Sequence, residues 1–123
     1  MSRLATHIWI DALIRRVQFG GASAFILQKG DRERGDVLVK VSPLDGRAAF
    51  LTKSPMSGDE PEFDWQPVAG GWAAERDVDE TISRRRGYDP DLWVVEIEDR
   101  EGRHFLTEKV NGECGTPGHG GNP

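Results

Sequence analysis

The chain has one cysteine, one tyrosine and two methionines. With Cys114 alone, no intrachain disulfide can form, so the fold must rest on its hydrophobic core. No apolar run approaches the ~20 residues of a membrane span. A secretory signal is lacking too: the apolar stretch Ile8 to Ile14 is interrupted by Asp11, followed at once by Arg15 and Arg16, and has no small-residue cleavage site. Basic residues are in the minority, 16 Lys and Arg against 21 Asp and Glu, for a net charge of −5. That balance disfavours a nucleic-acid partner, because neutralising phosphates needs a basic surface. No Walker pattern and no G-x-G-x-x-G is present. Neither His7 nor His104 has a serine or cysteine nucleophile at a recognisable spacing. Val37-Leu38-Val39-Lys40 lacks the acidic residue that metal-dependent nucleases place two before the lysine. Cys114 and His119 alone make a poor zinc site. These absences point to a cytoplasmic protein with no cofactor and no membrane partner.

What is present is one domain's worth of chain: 123 residues, 37 % hydrophobic and 30 % charged. Its organising stretch is Gly87 to Phe105, GYDPDLWVVEIEDREGRHF. Side chains alternate faces along a strand. Trp93, Val95 and Ile97 then share an apolar face, and Leu92, Val94, Glu96 and Glu98 share a face that turns from apolar to acidic. This pattern predicts a central strand. Asp99 to Gly102 reads as a turn, with Arg103 to Leu106 returning alongside and Arg103 beside Glu98.

Upstream, Thr6 to Gln18 reads as a helix with Ile10, Leu13, Ile14 and Val17 as its stripe, Thr6 as N-cap and Gly20-Gly21 as the stop. Ala24 to Lys29, Val37 to Val41 and Arg47 to Lys53 read as a three-stranded meander, with Asp45-Gly46 as a hairpin turn. Ser54 to Glu62 reads as a mobile loop. Phe63 to Val68 reads as a short edge strand, since Pro67 cannot donate to a ladder. Glu75 to Arg86 reads as a second helix with a thin stripe, Val78 and Ile82, ended by Gly87. Residues 111–123 are rich in glycine and proline and are expected to be a disordered tail after a single domain at 1–110. The predicted fold is α+β, an antiparallel sheet of about five strands with two helices on one face, in the order α-β-β-β-(β)-α-β.

The stretches THIWIDALIRR, KGD, GDVLVKVSPLDG and DPDLWVVEIEDREGR, spread over Arg3 to Leu106, resemble the short alphaproteobacterial proteins of domain of unknown function family 1491. DPDLWVVEIEDREGR is the most specific of them. The resemblance brings no activity with it, so it implies no catalytic residue.

Three constellations invite a function. Glu96 and Glu98, about 6.5–7 Å apart on one strand face, together with Asp99, could hold a hard cation or divide into acid and base. A solvated strand end with cross-strand partners is the commoner arrangement. Arg84, Arg85 and Arg86, with Arg15 and Arg16 nearby, could grip a phosphate, an RNA or an acidic partner, but they equally suit a helix C-terminus. Trp65 and Trp72 could anchor a partner at the Phe63 to Val68 edge, or close a small second core. The glycine-flanked Lys29-Gly30-Asp31 and Gly35-Asp36 need only turn chemistry. The expected function is a non-catalytic binding or protein-interaction module with an unknown protein partner or self-association through a sheet edge. An enzyme or metal-binding protein using Glu96, Glu98 and Asp99 is the alternative, and RNA or phosphate binding through Arg84 to Arg86 a weaker third.

Overall fold

The computed structural model describes residues 4–55, 60–66 and 71–112. The elements run α1 (Thr6–Phe19), β1 (Ser23–Gln28), β2 (Val37–Ser42), β3 (Arg47–Lys53), β4 (Glu62–Gln66), β5 (Ala73–Ala74), α2 (Glu75–Tyr88), β6 (Trp93–Glu98) and β7 (Lys109–Asn111). The class is α+β. The strands lie in the order β1-β6-β2-β3-β4-β7, with β5 beside the start of β3.

The Trp93–Glu98 strand takes an interior place between β1 and β2, as its two apolar faces require. Trp93, Val95 and Ile97 face α1, packed with Ile10, Leu13 and Val17. Leu92 and Val94 face α2, packed with Val78 and Ile82. Val94, Val95 and Ile97 are fully buried, and each contributes about 1.5–3 kcal/mol by leaving water. A strand with two apolar faces needs a helix on each. The helices therefore sit on opposite faces, not on the one face expected.

The sheet is mixed, not antiparallel. β6 runs parallel to β2 and antiparallel to β1, and β7 runs parallel to β4. The expected meander holds only for its second half. β2 and β3 form a hairpin, turned through Leu44 and Gly46 at φ +64° and +87°, with Asp45 Oδ1 accepting from the Arg47 N–H at 3.0 Å. β1 and β2 are separated by β6, and the connection between them crosses the start of that strand. The Asp31 N–H donates to Asp91 O at 3.0 Å, and the Trp93 N–H donates to Asp36 O at 2.8 Å. The Trp93 indole N–H closes on Asp31 O at 2.7 Å. A Cβ at Gly30 or Gly35 would stand 2.0 or 2.3 Å from Asp91 O. These glycines are there because one backbone passes over another.

Four smaller expectations also change. Ala5, not Thr6, is the cap residue of α1, and the Thr6 hydroxyl reaches Glu33 O and Gly35 O instead. α2 continues through Gly87 to Tyr88. Arg103 to Leu106 forms no strand. It is a strap along α1, held by Arg16 Nε donating to Phe105 O at 2.9 Å and by the Trp9 indole donating to Glu108 at 2.8 Å. β4 is not an edge along its first part, where β7 pairs Phe63 with Val110 and Asp64 with Asn111. Of the expected loop and tail, residues 56–59 and 113–123 lie outside the described residues, as do 67–70 beyond β4.

Gly30→Ala should lower stability by about 1–3 kcal/mol, the cost of forcing atoms into a filled space. A chemical denaturation midpoint checks it. Gly87→Ala, at an open helical position, should instead be neutral or stabilising.

Candidate functional site

β2 carries one charged residue, Lys40, among its buried side chains, and that side chain is 3 % exposed. Alternation places Lys40 on the α2 face, where the parallel register sets it beside Glu96. The first turns of α2 supply two more carboxylates. Lys40 Nζ donates to Glu75 Oε2 and Asp79 Oδ1 at 2.7 Å each and lies 3.6 Å from Glu96 Oε2. Burial works to lower the lysine pKa. The hydrogen bonds to Asp79 and Glu75 and the charge of Glu96 outweigh it, and the ammonium ends above its ordinary value. A lysine held protonated at neutral pH is neither nucleophile nor base. It is an ionic clamp between helix and sheet. Burial likewise pushes the Glu96 carboxyl up, against the pull of Lys40 and with the repulsion of Glu98, Glu75 and Asp79.

The three predicted metal ligands are not gathered into one site. Glu96 serves Lys40. Asp99 is turned into Arg103, whose Nε and Nη2 donate to its two oxygens at 3.0 and 2.8 Å. These bonds hold its carboxyl below the usual range, against burial. Arg103 thus meets Asp99 and, at 3.6 Å, Glu101, rather than the expected Glu98. Among the described residues no group of three or more His, Cys, Asp or Glu could hold a metal ion.

Trp65 and Trp72 lie on the other face, in the α1 layer. They are tilted against each other at 5.8 Å between ring centroids, with His104 edge-on to Trp65 at 5.8 Å. Trp9 stacks on Phe63 at 5.4 Å in the same layer. Phe63 belongs to the main core, and Trp9, Trp65 and Trp72 pack against it, so the tryptophans extend the main core rather than close a small second one. Burial lowers the His104 pKa, and its Nδ1 accepts the Leu106 N–H at 2.9 Å.

Arg84, Arg85 and Arg86 are exposed at the end of α2. Arg84 lies 3.7 Å from Glu80. Arg86 Nε donates to Gln28 Oε1 at 3.1 Å. Arg15 and Arg16 belong to α1 on the opposite face, so the two basic runs do not meet. A cleft of about 490 Å³ opens between Thr6, Arg34 and Lys53 at the start of α1. The N–H groups of Thr6 and His7 already donate there to Glu33 O and Arg32 O, so they are not free to hold an anion.

Sequence reasoning missed two features. One is Lys40, whose signal was a lone charge inside VLVKV followed by an acidic helix start. The other is β1. Among the described residues it pairs with β6 alone, which leaves Phe25 and Leu27 48 % and 37 % exposed beside an open sheet edge.

Together these features define a small α+β domain whose buried charge is architectural and whose open feature is a strand edge. The family model described as protein of unknown function (DUF1491) matches residues 4–107, and the chain belongs to that family. The chain is similar to the crystal structure of a DUF1491 family protein from Caulobacter crescentus, at 46 % identity and TM-score 0.76, covering 89 % of this chain and 98 % of that one. An NMR structure of a DUF1491 family protein from Caulobacter crescentus aligns at 45 % identity and TM-score 0.78, covering 91 % and 100 %. A solution structure of a protein from A. tumefaciens aligns at 29 % identity and TM-score 0.73, covering 91 % and 99 %. No curated protein matches the chain.

Lys40→Met should cost about 3 kcal/mol, because it leaves Glu96 without its cation inside the fold, whereas Glu96→Gln should change stability by less than about 1 kcal/mol. Urea unfolding at neutral pH distinguishes the two. For His104 the folded value lies below the unfolded one, so native stability is lost as pH falls below about 6.5. His104→Asn keeps an acceptor for Leu106 and should flatten the thermal midpoint between about pH 6.5 and 5.

Proposed function

We propose that this protein is a non-catalytic interaction module that docks an extended segment of a polypeptide along β1. The observation that carries the reading is the open edge of β1 with Phe25 exposed upon it. An unpaired edge offers a row of N–H and C=O groups to an added strand, and apolar side chains beside it give that addition a grip. β1 contains no proline and no charged residue, two of the usual devices for closing an edge. Its register shifts between Ile26 and Gln28, which confines the regular edge to Ser23–Ile26. Of the Phe63 to Val68 edge first expected for this role, Phe63 and Asp64 are paired with β7 and residues 67–68 lie outside the described residues; β1 takes its place in this reading.

The test compares wild type with a Phe25→Glu, Leu27→Glu double variant. Both side chains face solvent, so circular dichroism and unfolding should stay near wild type. Affinity capture from the source cells should recover with wild type a polypeptide, a second copy included, that the variant loses. Identical capture profiles from the two proteins would defeat the reading.

A further inference from the structure

Building on that reading, we propose that the occupant of the β1 edge is a second copy of this chain, paired antiparallel about a two-fold axis normal to the sheet. The argument is charge complementarity between the two ends of the strand. Glu98 lies beside Ser23 at one end. Arg86 lies over Gln28 at the other. Both sit on the α2 face, since Gln28 pairs with Val94, which packs under α2. Among the described residues neither Glu98 nor Arg86 has an ion-pair partner within the chain, although nearby charges such as Lys40, Asp99 and Arg84 are paired.

An antiparallel two-fold pairing sets the Ser23 end of each copy against the Gln28 end of the other. Glu98 of one copy then stands two strand spacings, about 10 Å, from the strand under Arg86 of the other. Two long side chains bridge that distance. The same operation repeats the contact at the opposite end, so one residue pair serves twice. Between the two ionic ends the Phe25 side chains of both copies meet on one face, and the two sheets become one. A parallel pairing about a two-fold along the strands would turn the two α2 faces to opposite sides of the sheet, so Glu98 and Arg86 of the two copies could not meet, and only the antiparallel arrangement makes the two ion pairs. A six-residue edge buries less than the ~1,600 Å² of a standard interface, so the dimer dissociates on dilution.

Sedimentation equilibrium of the purified full chain at low salt tests this. Wild type should show a concentration-dependent dimer, and Phe25→Glu should abolish it. Arg86→Glu and Glu98→Arg should each raise the dissociation constant about tenfold, each placing like charges together at both ends. The double swap should restore it to within about threefold. A monomer at all concentrations, a dimer untouched by Phe25→Glu, or single swaps that the double swap fails to rescue would each overturn the proposal. The broader reading fails separately. A monomeric wild type that still captures a Phe25-dependent partner removes the second copy as occupant and leaves the docking edge standing.

Discussion

A strand that is apolar on both faces is stable only where both faces and both edges are covered. Trp93 to Ile97 is such a strand, and the architecture follows from housing it. It takes β1 on one side and β2 on the other, and it calls for a helix above and a helix below. Seating it between β1 and β2 forces their connection across its entry. That crossing puts glycine at 30 and 35, where Asp91 O leaves no room for a Cβ. It also moves β1 outward to the margin of the sheet. α2 packs over β2, β3 and β6 through Val78 and Ile82 and meets β1 at its end, where Arg86 bonds Gln28. Phe25 and Leu27 are left uncovered by the same arrangement that buries Val95.

The clamp at Lys40 answers a weakness in α2. Two buried aliphatic side chains are a thin apolar stripe for a helix of 14 residues. One ammonium shared by Glu75 and Asp79 ties the helix down where apolar contact runs out. Its protonated form is favoured by folding, so its contribution is fully present below the unfolded lysine value and is lost as pH rises through the higher folded one. Two acids of the same region respond to pH in opposite senses. Glu96 has its folded value raised, so its ionisation opposes folding, and that opposition is relieved as pH falls through the folded value. Asp99 has its folded value lowered, so its stabilisation is present above the unfolded value and is lost as pH falls through the folded one.

Local signals in the sequence were readable where one element decides its own form. The stripe of α1, the Asp45-Gly46 turn and the alternation from Trp93 to Glu98 all formed where periodicity and turn chemistry placed them. Pairing was less legible. Nothing in residues 29–36 announces that they span a neighbouring strand rather than close a hairpin, because the reason lies in Trp93 and Asp91, far along the chain. β7 escaped notice because its three residues acquire strand geometry only by lying against β4. The acidic stretch looked like a site because one-dimensional spacing shows carboxylates but not their cations. Lys40 and Arg103 reach Glu96 and Asp99 from other segments.

What remains after the internal pairings are drawn is informative. Folding neutralises charges where they are buried, so a charge left unpaired at an open edge is free to act on something outside the fold. Among the described residues Glu98 and Arg86 are left in that position, one at each end of β1. An open edge with only apolar side chains would accept any extended chain and invite aggregation. The register shift before Gln28 shortens the regular edge, and a charge of opposite sign at each end gives it a direction. Under the proposed antiparallel pairing, generic addition along so few residues would be weak, and a partner that presents the two charges in reverse order would hold better than one that does not.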